Sequence, residues 1–444
     1  VNLLINFDNY PEETSWEILD EQGEVVYFGV GSTDFPDGST ASFGYCLPEG
    51  CYDFRILDSH NDGLCCTFGE GSYVLSSTTG DIYASGGEFG TEEVTRFCVT
   101  DSYCPLGTTF VVTTSQDGIA GSLRQAINCA NAVAPLDTII FDLAPDDTLF
   151  IENPLPTIYD NYVMIDGGSG QTMVYDSAGS FISIASQSNT IRGLNLIGQD
   201  SLGSAIFVAL TGANFELTNN RIENFETAID LFGRSGWVKD NEITLSSSSE
   251  AGISLGLAAD QVVIEDNTIT GLGQQGVGIN FLNIDSSQIR NNDISGLRYG
   301  IYSLWSNDVV IEQNTISNNQ NGIYARSIQN SNGQRHQITQ NSIYCNEVER
   351  GIRLDPIANS NQQPPALSEA TDTTLQGTAF PGDLIEVFLS DNTDCIGPAE
   401  CQGRIYLGTT LTDADGFWLL TNIELSGGEF LTATATDSNN NTSS

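Results

Sequence analysis

A six-residue pattern, apolar-x-x-Asn-x-apolar, recurs along the middle of the sequence and constrains its fold more than any other feature. An earlier copy begins at Ile191 and has Leu194 in the Asn place. The copies that contain the Asn begin at Leu217, Val238, Ile264, Ile289, Ile311 and Ile338. Successive starts lie 21 to 27 residues apart, and a repeat of that size cannot bury its apolar face alone. The repeats are therefore expected to stack into one continuous core.

A second motif, a small residue followed by Ile, lies between copies of the first, as in Gly278-Ile279 and Gly300-Ile301. Together the two motifs predict three short strands per repeat, with the Asn at a tight turn between two of them. Stacking would place equivalent Asn side chains about 4.8 Å apart, so each amide can donate to the carbonyl of the next coil. Asn also tolerates the left-handed backbone that such a turn often needs. We therefore predict a right-handed parallel β-helix over residues 136–358, built around a ladder of buried Asn.

The segment 101–135 is interpreted as a linker followed by an amphipathic helix. Ser122 is the expected N-cap, with Gln125 at the capping-box position. The apolar face has helical spacing and consists of Leu123, Ala126, Ile127 and Ala130. The open end of a β-helix exposes an apolar interior, and we expect this helix to cover it.

Both flanking regions have runs of alternating apolar and polar residues, separated by clusters of Gly, Pro, Asp and Asn. We predict a small cysteine-containing β-sandwich over residues 1–100. A linker-like stretch rich in Asn, Gln and Pro follows the repeats, and we predict an immunoglobulin-like β-sandwich over residues 359–444. The predicted fold class is therefore all-β, with a parallel β-helix between two sandwiches.

The charge of the chain narrows the range of partners. It has 58 acidic and 14 basic residues, which give a formal net charge of −44. Such a surface repels phosphate backbones and anionic headgroups, so we expect neither nucleic-acid binding nor membrane association. No apolar run is long enough for a transmembrane helix, so membrane insertion is not expected either. Divalent cations are the partners that this charge attracts most.

Ten cysteines lie mainly in loops beside Gly and Pro, without the spacing that zinc sites require. Disulfides in an oxidising compartment explain them better, which predicts a secreted, extracellular or cell-surface protein. The chain begins at Val1 rather than Met, as expected if a targeting segment has been removed. Short loops favour the pairs Cys46–Cys51 and Cys395–Cys401, and Cys104–Cys129 would fasten the entrance to the β-helix.

The middle and end of the sequence resemble a large group of bacterial secreted proteins with right-handed parallel β-helices. The matching segments are the Asn repeats, Gly121–Ile127, Pro154–Ile158, Ile165–Gly167 and Asn361–Leu367. The segments Gly408–Gly416 and Leu431–Asp437 resemble the terminal immunoglobulin-like module of that group.

The first domain resembles an accessory β-sandwich of extracellular proteins from marine and gliding bacteria. The matching segments are Pro11–Trp16, Cys46–Tyr52 and Asp62–Cys66. Together the two resemblances imply surface display, often as adhesins or as structural parts of appendages.

Polysaccharide cleavage is common among β-helix proteins and requires recognisable groups. A hydrolase needs two carboxylates at a defined separation, and a lyase needs a cationic base with calcium-binding carboxylates on one face. Asp230 is at an outward position, but no acidic residue is expected beside it in the coils above or below. The two histidines, His60 and His336, lie in no recognisable triad. No catalytic or cofactor-binding residue is therefore assigned, and we expect a protein that is not an enzyme.

The expected outer face of the β-helix carries aromatic residues. Tyr302 and Tyr324 lie one coil apart there, near Trp305 and Arg326. Tyr299 and Arg298 are also expected close by. Stacked aromatic rings edged by Arg can bind a sugar or a partner protein. An aromatic stack that stabilises a solvent-facing sheet explains the same residues. The binding hypothesis predicts a surface glycan or a host-cell surface as the partner.

The segment Asp58–Gly63 resembles the first half of a calcium loop, with carboxylates at positions one and five and Gly at six. Gly69 stands where an EF-hand has its bidentate Glu. Asp58, Asn61 and Asp62 are therefore candidate Ca²⁺ ligands that need help from another loop. An Asx-Gly turn between strands explains the same residues.

Two classes of function remain. The favoured hypothesis is an extracellular structural or adhesive surface protein that assembles into a homo-oligomer, filament, appendage or surface layer. The alternative is a polysaccharide-binding or polysaccharide-degrading protein, either a lyase or a hydrolase. Ordered polymers in electron micrographs would support the first class, and sugars released from acidic polysaccharides would support the second.

Overall fold

The computed structural model describes residues 1–48, 50–66, 68–77, 82–99, 104, 108–132, 136–144, 147–176, 179–327, 334–347, 351–390 and 402–444. The chain forms two compact units. One comprises Val1–Pro105 with Gln116–Gln125, and the other comprises Leu106–Ser115 with Ala126–Ser444. Within the described residues, the single α-helix has ten residues, and no helix is long and apolar enough to cross a membrane.

The N-terminal unit is a sandwich of two four-stranded antiparallel sheets. Its strands are β1 (Asn2–Asn6), β2 (Thr14–Leu19), β3 (Val25–Val30), β4 (Thr40–Gly44), β5 (Gly50–Asp58), β6 (Ser72–Ser76), β7 (Ile82–Gly86) and β8 (Glu92–Val99), with a 3-10 turn at Pro11–Glu13. The sheet orders are β4-β1-β6-β7 and β3-β2-β5-β8. Alternate residues face inward, so Leu3 from one sheet and Trp16 and Phe54 from the other share one buried core.

The disulfides of this sandwich differ from those predicted. Cys51 is bonded to Cys98, so the predicted Cys46–Cys51 pair is wrong, and Cys46 is free and exposed. The reason is sheet register: Cys51 and Cys98 lie directly opposite each other on β5 and β8. Cys65 is bonded to its neighbour Cys66.

The other predicted pairs stay predictions. Cys104 and Cys129 are both disulfide-bonded, as is Cys345. Cys395 and Cys401 lie outside the described residues.

The second unit is dominated by a parallel β-solenoid. Its strands are β9 (Thr109–Val112), β10 (Thr138–Phe141), β11 (Thr148–Ile151), β12 (Met164–Tyr175), β13 (Ile182–Ile184), β14 (Thr190–Val208), β15 (Glu216–Thr218), β16 (Arg221–Leu231), β17 (Trp237–Lys239), β18 (Glu242–Leu245), β19 (Ala251–Leu255), β20 (Val263–Glu265), β21 (Thr268–Gly271), β22 (Val277–Leu282), β23 (Gln288–Arg290), β24 (Asp293–Ser295), β25 (Tyr299–Leu304), β26 (Val310–Glu312), β27 (Thr315–Ser317), β28 (Asn321–Arg326), β29 (Gln337–Thr339), β30 (Ser342–Tyr344) and β31 (Ile352–Leu354). Parallel pairing begins at β9, upstream of the boundary predicted at residue 136.

The predicted register of the repeat is confirmed. The first apolar residue of each copy pairs with its equivalent in the next coil, and all are buried: Ile191, Leu217, Val238, Ile264, Ile289, Ile311 and Ile338. The Ile of the second motif stacks in the same way, for example Ile279 on Ile301 and Ile301 on Ile323. These columns form the continuous core that no single repeat supplies.

The predicted Asn ladder is also confirmed. Its members are at most 4% exposed, and they are Asn220, Asn241, Asn267, Asn292, Asn314 and Asn341. The side-chain amide of each of the first five donates to the Oδ1 of the next Asn at 2.9–3.1 Å. The backbone N–H of each of these five donates to the same Oδ1 at 2.9–3.0 Å, so both buried amides of each turn have an acceptor.

The left-handed residue of this turn precedes the ladder Asn, which corrects the prediction. The six left-handed residues have φ between 52 and 56° and are all exposed: Asn219, Asp240, Asp266, Asn291, Gln313 and Gln340. The exposed residue therefore makes the sharp bend, and the following Asn turns inward to bond the backbone.

A ten-residue helix, α1 (Leu123–Ala132), lies between β9 and β10, as predicted. Gln125 N donates to Ser122 Oγ at 3.2 Å, so Ser122 is the N-cap as predicted. Gln125 Oε1 accepts at 2.6 Å from Gly121 N rather than from Ser122 N, so the returning bond of the predicted capping box is displaced by one residue. The predicted apolar face is buried. Asn131 in the last turn donates to Thr157 O at 2.8 Å and fastens the helix to the loop between β11 and β12.

Six strands form two small antiparallel sheets after the last coil. They are β32 (Ala366–Ala370), β33 (Thr374–Thr378), β34 (Leu384–Ser390), β35 (Ile405–Leu411), β36 (Phe417–Thr421) and β37 (Phe430–Thr436), in the orders β32-β33-β36 and β35-β34-β37. Leu375 and Trp418 from one sheet and Ile385 and Val387 from the other share a core.

This terminal module closes the β-solenoid. Ile343 N, on the last coil, donates to Gly403 O at 2.8 Å, and Ile338 N donates to Thr442 Oγ1 at 2.9 Å. Gln402, which is fully buried, accepts from Asn346 Nδ2 at 3.0 Å and so ends a second, shorter ladder that begins at Asn319. Backbone groups at the outer edges of β29 and β30 therefore have partners in the terminal module, which makes these edges poorer templates for aggregation.

Candidate functional site

One row of outward-facing residues runs along the solenoid, one residue per coil. Its members are in register and are Ser183, Phe207, Asp230, Ser254, Asn280, Tyr302, Tyr324 and Arg353. The residues before them in the chain are buried Ile in the central coils, so the strand pleat directs this row to the outer face.

Asp230 is the one carboxylate of that row. It lies between Phe207 and Ser254, and burial raises the pKa of its carboxyl, against the opposing hydrogen bond from Ser254. A second carboxylate at a defined distance, which a hydrolase requires, is not supplied by this row. The geometry at Asp230 is that of a single, partly buried acid.

Three tyrosines pack together farther along the same face, and we call them the tyrosine patch: Tyr299, Tyr302 and Tyr324. The ring centroids of Tyr302 and Tyr324 are 5.7 Å apart in an edge-to-face arrangement, whereas Tyr299 stacks on Tyr324 at 5.9 Å. Tyr299 and Tyr302 are partly exposed, and Tyr324 is buried beneath them. The patch therefore presents two ring surfaces to solvent on a third, supporting ring.

Three arginines surround the patch. Arg298 lies over the ring of Tyr299 at 5.3 Å, and Arg353 lies over Tyr324 at 4.5 Å. Arg326 Nη1 donates to Tyr302 OH at 3.3 Å, and its Nε is 3.4 Å from Asp355 Oδ2. Arg326 is thus partly neutralised, whereas Arg298 and Arg353 form no ion pair with any carboxylate that the structure describes.

The Tyr324 hydroxyl donates to Asp355 Oδ1 at 2.9 Å. Burial and the neighbouring carboxylate of Asp355 raise the pKa of Tyr324. The phenol therefore stays protonated at neutral pH, which suits hydrogen bonding rather than proton abstraction.

Trp305, predicted with this group, lies at a left-handed turn just after β25 and is 36% exposed. Within the described part of the chain, its indole makes no ring contact with the three tyrosines. Sequence reasoning placed Tyr302, Tyr324 and Arg326 together correctly. Arg353 and Asp355, from the next coil, both contact Tyr324 of the patch.

The candidate calcium residues lie in the N-terminal sandwich. Carboxylate oxygens of Glu13, Asp58 and Asp62 lie within 4.8 Å of one another. Asp58 Oδ1 also accepts from Asp62 N at 3.2 Å, which forms the turn that the sequence indicated. Asn61 is exposed and left-handed, with its Oδ1 near Gly90, so it is not brought into this carboxylate group.

Electrostatic repulsion is concentrated at this cluster. Burial, together with the charges of Asp58 and Asp62, raises the pKa of both Asp8 and Glu13. His60 Nδ1 lies 3.0 Å from Glu13 Oε1 and is largely exposed. Carboxylate oxygens are the kind of ligand that Ca²⁺ takes, and Glu13 is a third carboxylate from another loop that the sequence analysis did not identify. Calcium binding at this cluster stays a prediction.

The second histidine lies inside the protein rather than at its surface. His336 is fully buried, and its Nε2 lies 3.1 Å from Ser303 Oγ. Burial lowers the pKa of His336 to about 4. The imidazole is therefore neutral and enclosed in the solenoid core.

Comparisons with known proteins agree with the architecture. A family model described as "Right handed beta helix region" matches residues 231–362. No curated protein matches the chain. With the parallel pairing described above, the family match shows a right-handed β-helix flanked by small antiparallel sheets.

Among solved structures, the alginate lyase of Paenibacillus sp. str. FPU-7 is 15% identical and has a TM-score of 0.43, covering 57% of this chain and 97% of that one. A mannuronan C-5 epimerase A-module of Azotobacter vinelandii is 15% identical with a TM-score of 0.36, covering 54% and 77%. The Family 28 exopolygalacturonase of Yersinia enterocolitica is 8% identical with a TM-score of 0.29, covering 79% and 94%. These similarities are distant and assign no activity to this chain.

Proposed function

We propose that the protein is an extracellular adhesive protein, without catalytic activity, whose tyrosine patch binds a glycan that carries carboxylate groups. The observation that carries this proposal is the pair of guanidinium groups of Arg298 and Arg353 over the tyrosine rings. Neither has a carboxylate partner among the described residues, although the chain has 58 acids for 14 bases. Arg192, Arg290 and Arg335, by contrast, each pair with a carboxylate.

The chemistry of the patch supports a sugar ligand. Partly exposed aromatic rings provide flat apolar surface, and the arginines provide charged donors whose planar fork matches a carboxylate. The patch lies on strands β25 and β28, which pair with each other in the parallel sheet of the solenoid. Groups fixed in this way lose little entropy on binding.

The net charge of −44 repels an acidic glycan at long range. That repulsion is screened beyond about 8 Å at physiological ionic strength. At contact distance the attraction between the three arginines and the glycan carboxylates therefore outweighs this repulsion. The acidic surface around the patch disfavours binding of the glycan elsewhere.

A binding assay with matched variants tests the proposal. Immobilised polygalacturonate and neutral dextran are compared as ligands for the wild type, for Arg353→Gln and for Tyr302→Ala. We expect binding to polygalacturonate, weakened by about 1–2 kcal/mol in either variant, as for central contacts of an interface. The control is Trp237→Ala, which removes a 52%-exposed ring from a different strand row. Equal binding by all four proteins, or none by the wild type, would refute the proposal.

The same samples test the alternative that the protein is an enzyme. Unsaturated or shortened products that accumulate from polygalacturonate or alginate would favour a lyase or hydrolase, and loss of that activity in Asp230→Asn or Tyr324→Phe would locate it. Self-assembly into a filament or surface layer is a separate part of the hypothesis. Electron microscopy and sedimentation of native material test it, and monomers alone at high concentration would count against it.

A further inference from the structure

A buried carboxylate without partners lies at the start of the solenoid. Asp137, immediately before β10, is 0% exposed, and neither of its carboxylate oxygens has a hydrogen-bond partner. No Arg or Lys of the described residues pairs with it. Burying an ionised carboxylate in such a position lowers the stability of the fold by several kcal/mol unless a counter-charge or a hydrogen-bond donor is supplied.

A second carboxylate is close enough to act on Asp137 electrostatically. Asp160 is in the loop between β11 and β12, and its Oδ2 is likewise buried without a partner. The negative charge of Asp160 acts with burial to raise the pKa of Asp137. Both oxygens of Asp137 and one oxygen of Asp160 are therefore buried without a partner, and the two carboxylates are close enough for their charges to repel.

The backbone around both acids is held in place. Asp160 O accepts from Ser186 Oγ at 2.7 Å, and Asp160 N donates to Asn131 Oδ1 at 3.3 Å. Asp137 O accepts from Met164 N at 2.8 Å, which ties it to β12. The loops cannot relieve the repulsion by swinging outward without breaking these bonds.

We propose that Asp137 and Asp160 bind a Ca²⁺ ion that joins β10 to the loop before β12, at the first coils of the solenoid. Both oxygens of Asp137 and Oδ2 of Asp160 are hard ligands of the kind that Ca²⁺ takes, with water completing its coordination. A proton shared between the acids satisfies at most one oxygen of Asp137 and leaves the other without a partner. The site is separate from the acidic cluster at Asp58 and Asp62, and it is independent of glycan binding.

Hydrogen exchange on the full chain tests this site locally. The wild type is stripped with chelator and then measured with and without Ca²⁺, following the amides of β10 and of β12. We expect Ca²⁺ at ten times its dissociation constant to slow their exchange about tenfold. The control Asp142→Asn, which changes an exposed acid at the end of β10, keeps this response.

The variant Asp137→Asn distinguishes a cation site from a buried acid that binds no ion. In chelator it exchanges no faster than the wild type, because the uncompensated charge is gone, and Ca²⁺ no longer slows it. Asp160→Asn repeats the test if Asp137→Asn does not fold. Wild-type exchange in β10 and β12 that is unchanged by Ca²⁺, or an equal Ca²⁺ response in both variants, would overturn the proposal.

Discussion

Replacing Asn292 by Ala removes one rung from the middle of the Asn ladder. The Asn292 amide donates to Ile264 O, Arg290 O and Asn314 Oδ1 at 2.9–3.0 Å. Its Oδ1 accepts from both the backbone N–H and the side-chain amide of Asn267, at 3.0 and 2.9 Å. Alanine can make none of these five bonds, and the site is 1% exposed, so water cannot easily replace them.

The loss of stability depends on which groups are left without any hydrogen-bond partner. The Asn267 side chain keeps two backbone acceptors, and Asn314 Oδ1 keeps the backbone N–H of Asn292. The backbone N–H of Asn267 loses its acceptor, which costs about 1–3 kcal/mol, and the other bonds contribute about 0.5–1.5 kcal/mol each. We expect the free energy of unfolding of these coils to fall by about 4 kcal/mol.

Hydrogen exchange at Asn267 and urea denaturation measure this loss locally and globally. The matched control is Asp293→Asn, one residue away but exposed, for which a change within about 0.5 kcal/mol is expected. Asn292→Asp should be worse than Asn292→Ala at neutral pH, because a carboxylate would face carbonyl oxygens. If Asn292→Ala lowers the free energy of unfolding no more than Asp293→Asn does, the ladder does not stabilise the solenoid.

Three further outcomes are expected. His336 binds its proton less well in the folded state, with a pKa of about 4 against 6.5. The free energy of unfolding should therefore fall by up to about 3 kcal/mol as the pH is lowered from about 6.5 to 4. His336→Gln should lose less stability over this range, and an identical acid response of the two proteins would contradict this. Gln402→Ala should speed exchange at the Asn346 amide, which donates to Gln402 Oε1 at 3.0 Å, whereas exposed Gln363→Ala should not. Ca²⁺ should raise the unfolding midpoint of the N-terminal unit in the wild type and less in Asp62→Asn, with exposed Asp37→Asn as control; no Ca²⁺ effect on the wild type would remove the calcium hypothesis at that cluster.

The repeat could be predicted from the sequence because its physics is local and periodic. Ile264 and Ile289 occupy equivalent positions in consecutive copies, and stacking brings them into register directly. The turn was predicted less accurately, because Asp266 and Asn267 both tolerate a left-handed backbone. Only burial distinguishes the exposed bend from the inward ladder residue.

Features that depend on long-range register could not be predicted in the same way. Cys51 meets Cys98 across two antiparallel strands, and proximity in sequence wrongly favoured Cys46. Gln402 closes a ladder 56 residues after Asn346, and no sequence period points to it. Glu13 joins Asp58 and Asp62 for the same reason, since its place depends on the packing of one turn against another.

Hydrogen-exchange footprinting with an oligogalacturonate shows directly whether the tyrosine patch binds an acidic glycan. We expect the ligand, at its wild-type dissociation constant, to slow exchange in Tyr299–Leu304 and Asn321–Arg326, the strands of the tyrosine patch. At the same ligand concentration Arg353→Gln should show clearly less protection of these strands. Protection confined to other strands, or protection of the patch that is undiminished in Arg353→Gln, would contradict glycan binding at the patch.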